Sequence, residues 1–187
     1  ALVGYTNGDV LEAMKLFAKT IPEASSLIAL VDYTGDEVSD SLRCARWFYE
    51  EARLQDRGKE FGIRLDTHGG RFAEGLDYEK SVETVGHWLG MHGEYNIVEQ
   101  VLGGRAFQLD PNNILVDKVR RILFGKGVSV ASVIHVRRAL DSAGFKDARI
   151  VASSGFDAQK CQVMGAAKAP LDMVGTGSFL PATLTET

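Results

Sequence analysis

Phe61-Gly62-Ile63-Arg64-Leu65-Asp66 decides the fold class. It is a short apolar run that closes on an acid, and the glycine-rich Thr67-His68-Gly69-Gly70-Arg71 follows it. Leu27-Ile28-Ala29-Leu30-Val31-Asp32 has the same form upstream. Such a run fits a strand buried on both faces, as parallel sheets provide. Downstream, Ala148-Arg149-Ile150-Val151-Ala152-Ser153 and Leu171-Asp172-Met173-Val174 read as a third and a fourth strand.

Helical patterns fill the intervals. Asp9 caps a helix to Lys19, with Val10, Met14 and Phe17 on one side. From Val38 to Leu54, Leu42, Ala45, Trp47, Phe48 and Ala52 form a broad stripe. Further helices are expected over Tyr78 to Trp88, from near Pro111 through Leu123, over Ser132 to Ala143, and over Asp157 to Met164. Gly90 to Gly104 has no clear period and stays unassigned. Strands that alternate with helices form parallel βαβ units.

Composition narrows the class. The chain has 187 residues, 45% hydrophobic and 25% charged, which suits one soluble globular domain. A formal charge of −4 disfavours non-specific nucleic-acid binding, which needs clustered positive charge. No apolar run approaches the roughly 20 residues of a membrane helix, so no membrane partner is expected. Cys44 and Cys161 are too few for a disulfide framework and read as buried, reduced thiols in a cytoplasmic protein. The first residues have no basic region of the signal-peptide kind. The chain opens on Ala1 rather than Met, so it is either processed or a piece of a longer chain.

Ligands of α/β sheets bind beyond the carboxyl ends of the strands. The residues there are Asp32; Arg64, Asp66 and Thr67; Ser153, Ser154 and Gly155; and Gly175, Thr176 and Gly177. Arg64 and Asp66 are two apart in a strand and share a face. They form either a structural ion pair or a site in which Arg holds an anion and Asp holds hydroxyls or a metal. The Ser154-Gly155 and Gly175-Thr176-Gly177 loops expose backbone N–H groups of the kind that cradle phosphate. His68 is either a ligand contact or a solvated loop residue. His87 and His92 are five apart, which is not the spacing of a helical zinc site, and no metal-ligand cluster is read.

These segments together resemble nicotinate phosphoribosyltransferases. The resemblance rests on Ala29 to Glu37, Gly62 to Thr67, Ser153 to Asp157 and Asp172 to Gly177, taken in order. The stretch from Arg71 to Asp147 matches only loosely. The resemblance implies an α/β fold that is part of a TIM-like barrel, with about four parallel strands present here. It implies the reaction of nicotinate with 5-phosphoribosyl-1-pyrophosphate to give nicotinate mononucleotide, coupled to ATP and accompanied by Mg²⁺.

Residue by residue, Arg64 resembles the arginine that contacts the pyridine and the phosphoribosyl substrate, and Asp66 the acid that holds the ribose hydroxyls. Ser154 and Gly155 resemble one phosphate loop, and Gly175, Thr176 and Gly177 the other. Asp32, Thr67 and His68 fall beside them as substrate-binding positions. His68-Gly69 stands where one branch of the family has Gly-Asp, so that second acid is absent. The family's Gly-Thr-x-x-His loop has no counterpart in this sequence. The chain is therefore expected to be a single partial barrel domain, the C-terminal part of a longer enzyme. A homo-oligomer or a complementing N-terminal chain is expected with it. Two other readings stand beside this one: a quinolinate phosphoribosyltransferase-like enzyme, and a non-catalytic nucleotide-binding module.

Overall fold

The computed structural model describes residues 2–53, 58–92 and 114–177. Its elements run in the order α1 (Leu2–Tyr5), α2 (Val10–Thr20), β1 (Ser26–Leu30), α3 (Glu37–Trp47), β2 (Glu60–Leu65), α4 (Tyr78–His92), α5 (Ile114–Phe124), α6 (Val130–Ser142), β3 (Arg149–Ala152), α7 (Ala158–Ala166) and β4 (Met173–Val174). The expected helix cap at Pro111 and the unassigned stretch beyond His92 lie outside the described residues.

The four strands form one all-parallel sheet in the order β1-β2-β3-β4. Each strand lies beside its predecessor in the chain, so the described sheet contains no reversal of strand order. Registers of Leu30 with Arg64 and of Leu65 with Ala152 bring the strand ends level.

Burial corrects one expectation. The strands are covered on one face, not on both. Leu27, Ala29, Phe61, Ile63, Leu65, Ile150 and Ala152 are buried and join Cys44, Ala45, Val133, Ile134, Val136 and Leu140 from α3 and α6 in one core. On the opposite face Ile28 is 45% exposed and Met173 43% exposed. The alternation along β2 follows from this, because successive side chains point to opposite faces.

The local signals explain the elements well. Asp9 accepts a hydrogen bond from the Glu12 amide, 3.0 Å, and starts α2. Ser129 and Ser132 form a reciprocal capping box, which starts α6 two residues before the expected Ser132. Asp157 accepts from the Lys160 amide, 2.8 Å, and starts α7. After α3 the chain winds one π-helical turn, Phe48–Ala52, which presents Phe48 to the core against Phe61 with ring centroids 5.3 Å apart. Cys44 is buried on α3 and its thiol is pushed up to about 12 by desolvation. Cys161 departs from expectation: it is an exposed free thiol on the outer side of α7. Among the described residues no helix is long and apolar enough to cross a membrane.

Candidate functional site

The open sheet face and the loops after β3 and β4 enclose a cleft of about 620 Å³. Its floor is Ile28, Leu30 and Val151. Its rim holds Arg64, Ser153, Ser154, Gly155, Phe156, Gly175, Thr176 and Gly177. Six of the ten site residues read from the sequence thus line one cleft: Arg64, Ser154, Gly155, Gly175, Thr176 and Gly177.

Arg64 stands on the open face of β2 and is held from two sides. Its Nη2 donates to Asp66 Oδ2 at 2.9 Å, and its Nε donates to Ser153 Oγ at 2.9 Å. Ser153 is buried and passes a longer bond, 3.3 Å, to the Leu65 carbonyl. The guanidinium is thereby oriented while its side chain stays 47% exposed toward the cleft. Asp66 meets the cleft through this pair.

The glycine loops differ in what they offer. Ser154 has φ 81° and Gly155 has φ 63°, two left-handed residues in succession. A non-glycine residue there carries strain that its surroundings must hold. Lys160 Nζ donates to the Ser154 carbonyl at 2.7 Å and does so. In the last loop the Gly175 amide is spent on the Ala152 carbonyl, 2.8 Å, so this glycine extends the sheet ladder. A side chain at Gly175 would bring its Cβ to 3.3 Å from Ser153 Cβ. A larger residue there would crowd the close approach of the two loops unless Ser153 shifted by a few tenths of an ångström. The Thr176 hydroxyl donates to the Phe156 carbonyl at 3.1 Å and ties them together.

Asp32, Thr67 and His68 do not line the cleft. Thr67 is fully buried, and its hydroxyl donates to Glu37 Oε1 at 2.8 Å. His68 is exposed, and its Nδ1 accepts from the Gly70 amide at 3.0 Å within the turn. Asp32 is half-buried beyond β1. Desolvation, with Asp66 and Glu37 nearby, raises its carboxyl above the ordinary range. Its Oδ1 is buried without a hydrogen-bond partner.

Below the site lies a latch that motif reading missed. Glu37 is fully buried and accepts from Arg71 Nη1 at 2.7 Å, from Thr67 and from the Glu74 amide at 2.9 Å. Glu74 returns the contact, because its Oε2 accepts from the Val38 and Ser39 amides at 2.7 and 2.8 Å. It caps α3 in place of Asp36, whose side chain makes no cap bond. Arg71 Nη2 also donates to the Asp32 carbonyl at 2.9 Å. These bonds pin the loops after β1 and β2 to one another and hold Arg71 in a structural role.

Among the described residues no group of three or more His, Cys, Asp or Glu is placed to hold a metal ion. No family model, no curated protein and no solved structure matches this chain.

Proposed function

We propose that this chain forms the pyridine-, ribose- and phosphate-binding part of a nicotinate phosphoribosyltransferase. The observation that carries the reading is the convergence of Arg64 with the Ser154-Gly155 and Gly175-Gly177 loops on one cleft at the carboxyl ends of parallel strands. On this reading the sheet is a segment of a (β/α) barrel. Its unreversed strand order and its single covered face support that: the open face would turn to the barrel interior, and the outer edges of β1 and β4 are where further strands would pair.

The reaction joins the pyridine nitrogen of nicotinate to C1 of the phosphoribosyl group as the bond from C1 to pyrophosphate breaks. The transition state has oxocarbenium character, so catalysis rests on placement and on charge. Arg64 would hold the anionic pyridine carboxylate or a phosphate oxygen. Asp66 would accept hydrogen bonds from the ribose hydroxyls and face the developing positive charge. The loop after β3 would take the 5-phosphate on its backbone N–H groups.

The described residues do not by themselves make a Mg²⁺ site: Asp32 lies outside the cleft with its unpartnered oxygen buried and its carboxyl raised, and Asp66 is paired with Arg64, so the ion would be carried by the pyrophosphate oxygens of the substrate. Such an ion would neutralise charge on the leaving pyrophosphate. ATP coupling belongs to the same proposal through the family resemblance.

A quinolinate-type enzyme needs several cations for two carboxylates. Arg71, the cation in the loop after β2, is paired with Glu37, which favours the nicotinate reading. Calorimetric titration of this chain with nicotinate mononucleotide tests the proposal. Binding that Arg64→Ala weakens roughly 10–100-fold supports it, and absence of binding refutes it. Pyrophosphate release with nicotinate and the sugar pyrophosphate separates an enzyme from a non-catalytic nucleotide-binding module.

A further inference from the structure

We propose that Lys160 is the positioning residue of the phosphate cleft: its ammonium holds the Ser154 carbonyl and so sets the Ser154-Gly155 turn that receives the anion. This rests on the phosphate-site reading above and extends it to a residue outside the strand-end motifs.

Lys160 stands in the first turn of α7, where its amide is already committed to Asp157. Its amine reaches back over the loop. Nζ lies 2.7 Å from the Ser154 carbonyl oxygen and 4.4 Å from the centroid of the Phe156 ring. Both residues line the cleft. The ammonium therefore grips the turn at its strained residue, Ser154 with φ 81°, and draws in a carbonyl whose oxygen would repel an anion. The cation over the aromatic face adds a second, weaker hold.

The charged groups around this amine are few. Asp157 faces it from the helix cap and is itself paired with Lys118 at 2.7 Å. Asp66 faces it from the end of β2 and is paired with Arg64. Cys161 follows it on α7. Burial outweighs the two acids and pushes the Lys160 ammonium down to about 8. The charge-assisted grip is largely in place near neutral pH and weakens as pH rises through that value. A lysine in water would hold its proton well above it.

The test follows the Ser154 carbonyl carbon by NMR from about pH 6.5 to about pH 9.5, with nicotinate mononucleotide affinity measured at both ends. The expected result is a carbonyl shift with a midpoint near 8 and an affinity about tenfold lower at the alkaline end. Lys160→Arg stays charged throughout and should flatten both curves. Lys160→Met should show the alkaline shift and weak binding at every pH.

Cys161→Ser should leave the midpoint in place. A Ser154 carbonyl that does not titrate near 8, or that titrates equally in Lys160→Arg, overturns the proposal. A titrating carbonyl in a chain that binds no nicotinate mononucleotide refutes the phosphoribosyltransferase reading and leaves the positioning role standing.

Discussion

Replacing Glu37 with alanine should be among the most damaging single changes outside the hydrophobic core. The carboxylate is fully buried and receives three donors, from Arg71 at 2.7 Å, Thr67 at 2.8 Å and the Glu74 amide at 2.9 Å. Removing one partner of a buried ion pair costs about 3–5 kcal/mol. The Arg71 side chain is 36% exposed and can turn to water, which argues for the low end of that range. The Thr67 hydroxyl has no such escape, since the residue is fully buried, and an unpaired buried donor adds about 1–3 kcal/mol.

Glu37→Ala should therefore lose about 4 kcal/mol, or roughly 8–16 °C of melting temperature for a domain of this size. Thermal unfolding followed by circular dichroism at neutral pH reads this. Glu37→Gln, which keeps an acceptor oxygen, should lose about half as much. In a double-mutant cycle, Glu37→Ala with Arg71→Met should cost less than the two single changes added together, because the orphaned cation is gone. A Glu37→Ala chain within about 1 kcal/mol of the parent would refute the latch as the element that ties the two loops.

Three further outcomes follow from the geometry. Arg64→Ala should change stability by no more than about 1 kcal/mol, because its ion pair with Asp66 is largely exposed. The same variant should weaken nicotinate mononucleotide binding roughly 10–100-fold, the value of one charged hydrogen bond; calorimetry and thermal unfolding separate the two effects. Asp32→Asn should be more stable than the parent at neutral pH. The raised carboxyl of Asp32 favours its protonated form in the folded state, so the parent loses stability as pH rises through the folded value. The two melting curves should converge below about pH 4, and a constant difference would sink this account. Gly175→Val should push the β4 loop from Ser153, destabilise by about 1–3 kcal/mol and weaken phosphate binding. Gly175→Ala should do less of both, and equal affinity of Gly175→Val and parent would contradict the close approach.

The sheet was legible because apolar runs closed by Asp32 and Asp66 carry both strand length and strand end. Helix starts at Asp9 and Asp157 were legible for a similar reason, since a cap and its amide lie three residues apart. The cap of α3 was not, because Glu74 arrives from 36 residues away and no local pattern announces it. One-sided burial of the strands was hidden as well. Arg64 interrupts the apolar run, but only the packing of α3 and α6 on a single face shows what that break means.

The rule that ligands sit beyond strand ends found Arg64 and both glycine loops. It also swept in Thr67, although the two-residue period places Thr67 opposite Arg64 and Asp66 and so toward the core. Lys160 escaped because its role depends on a long side chain folding back from a helix onto a loop, which sequence spacing does not encode.

The most direct measurement of the central claim compares nicotinate mononucleotide with its dephosphorylated riboside in calorimetric titrations of the same chain. The account predicts that the phosphate contributes at least about tenfold in affinity, and that Lys160→Met and Gly175→Val shrink this difference while Arg64→Ala lowers binding of both ligands. Equal affinity for the two ligands, or no binding of either, would contradict it.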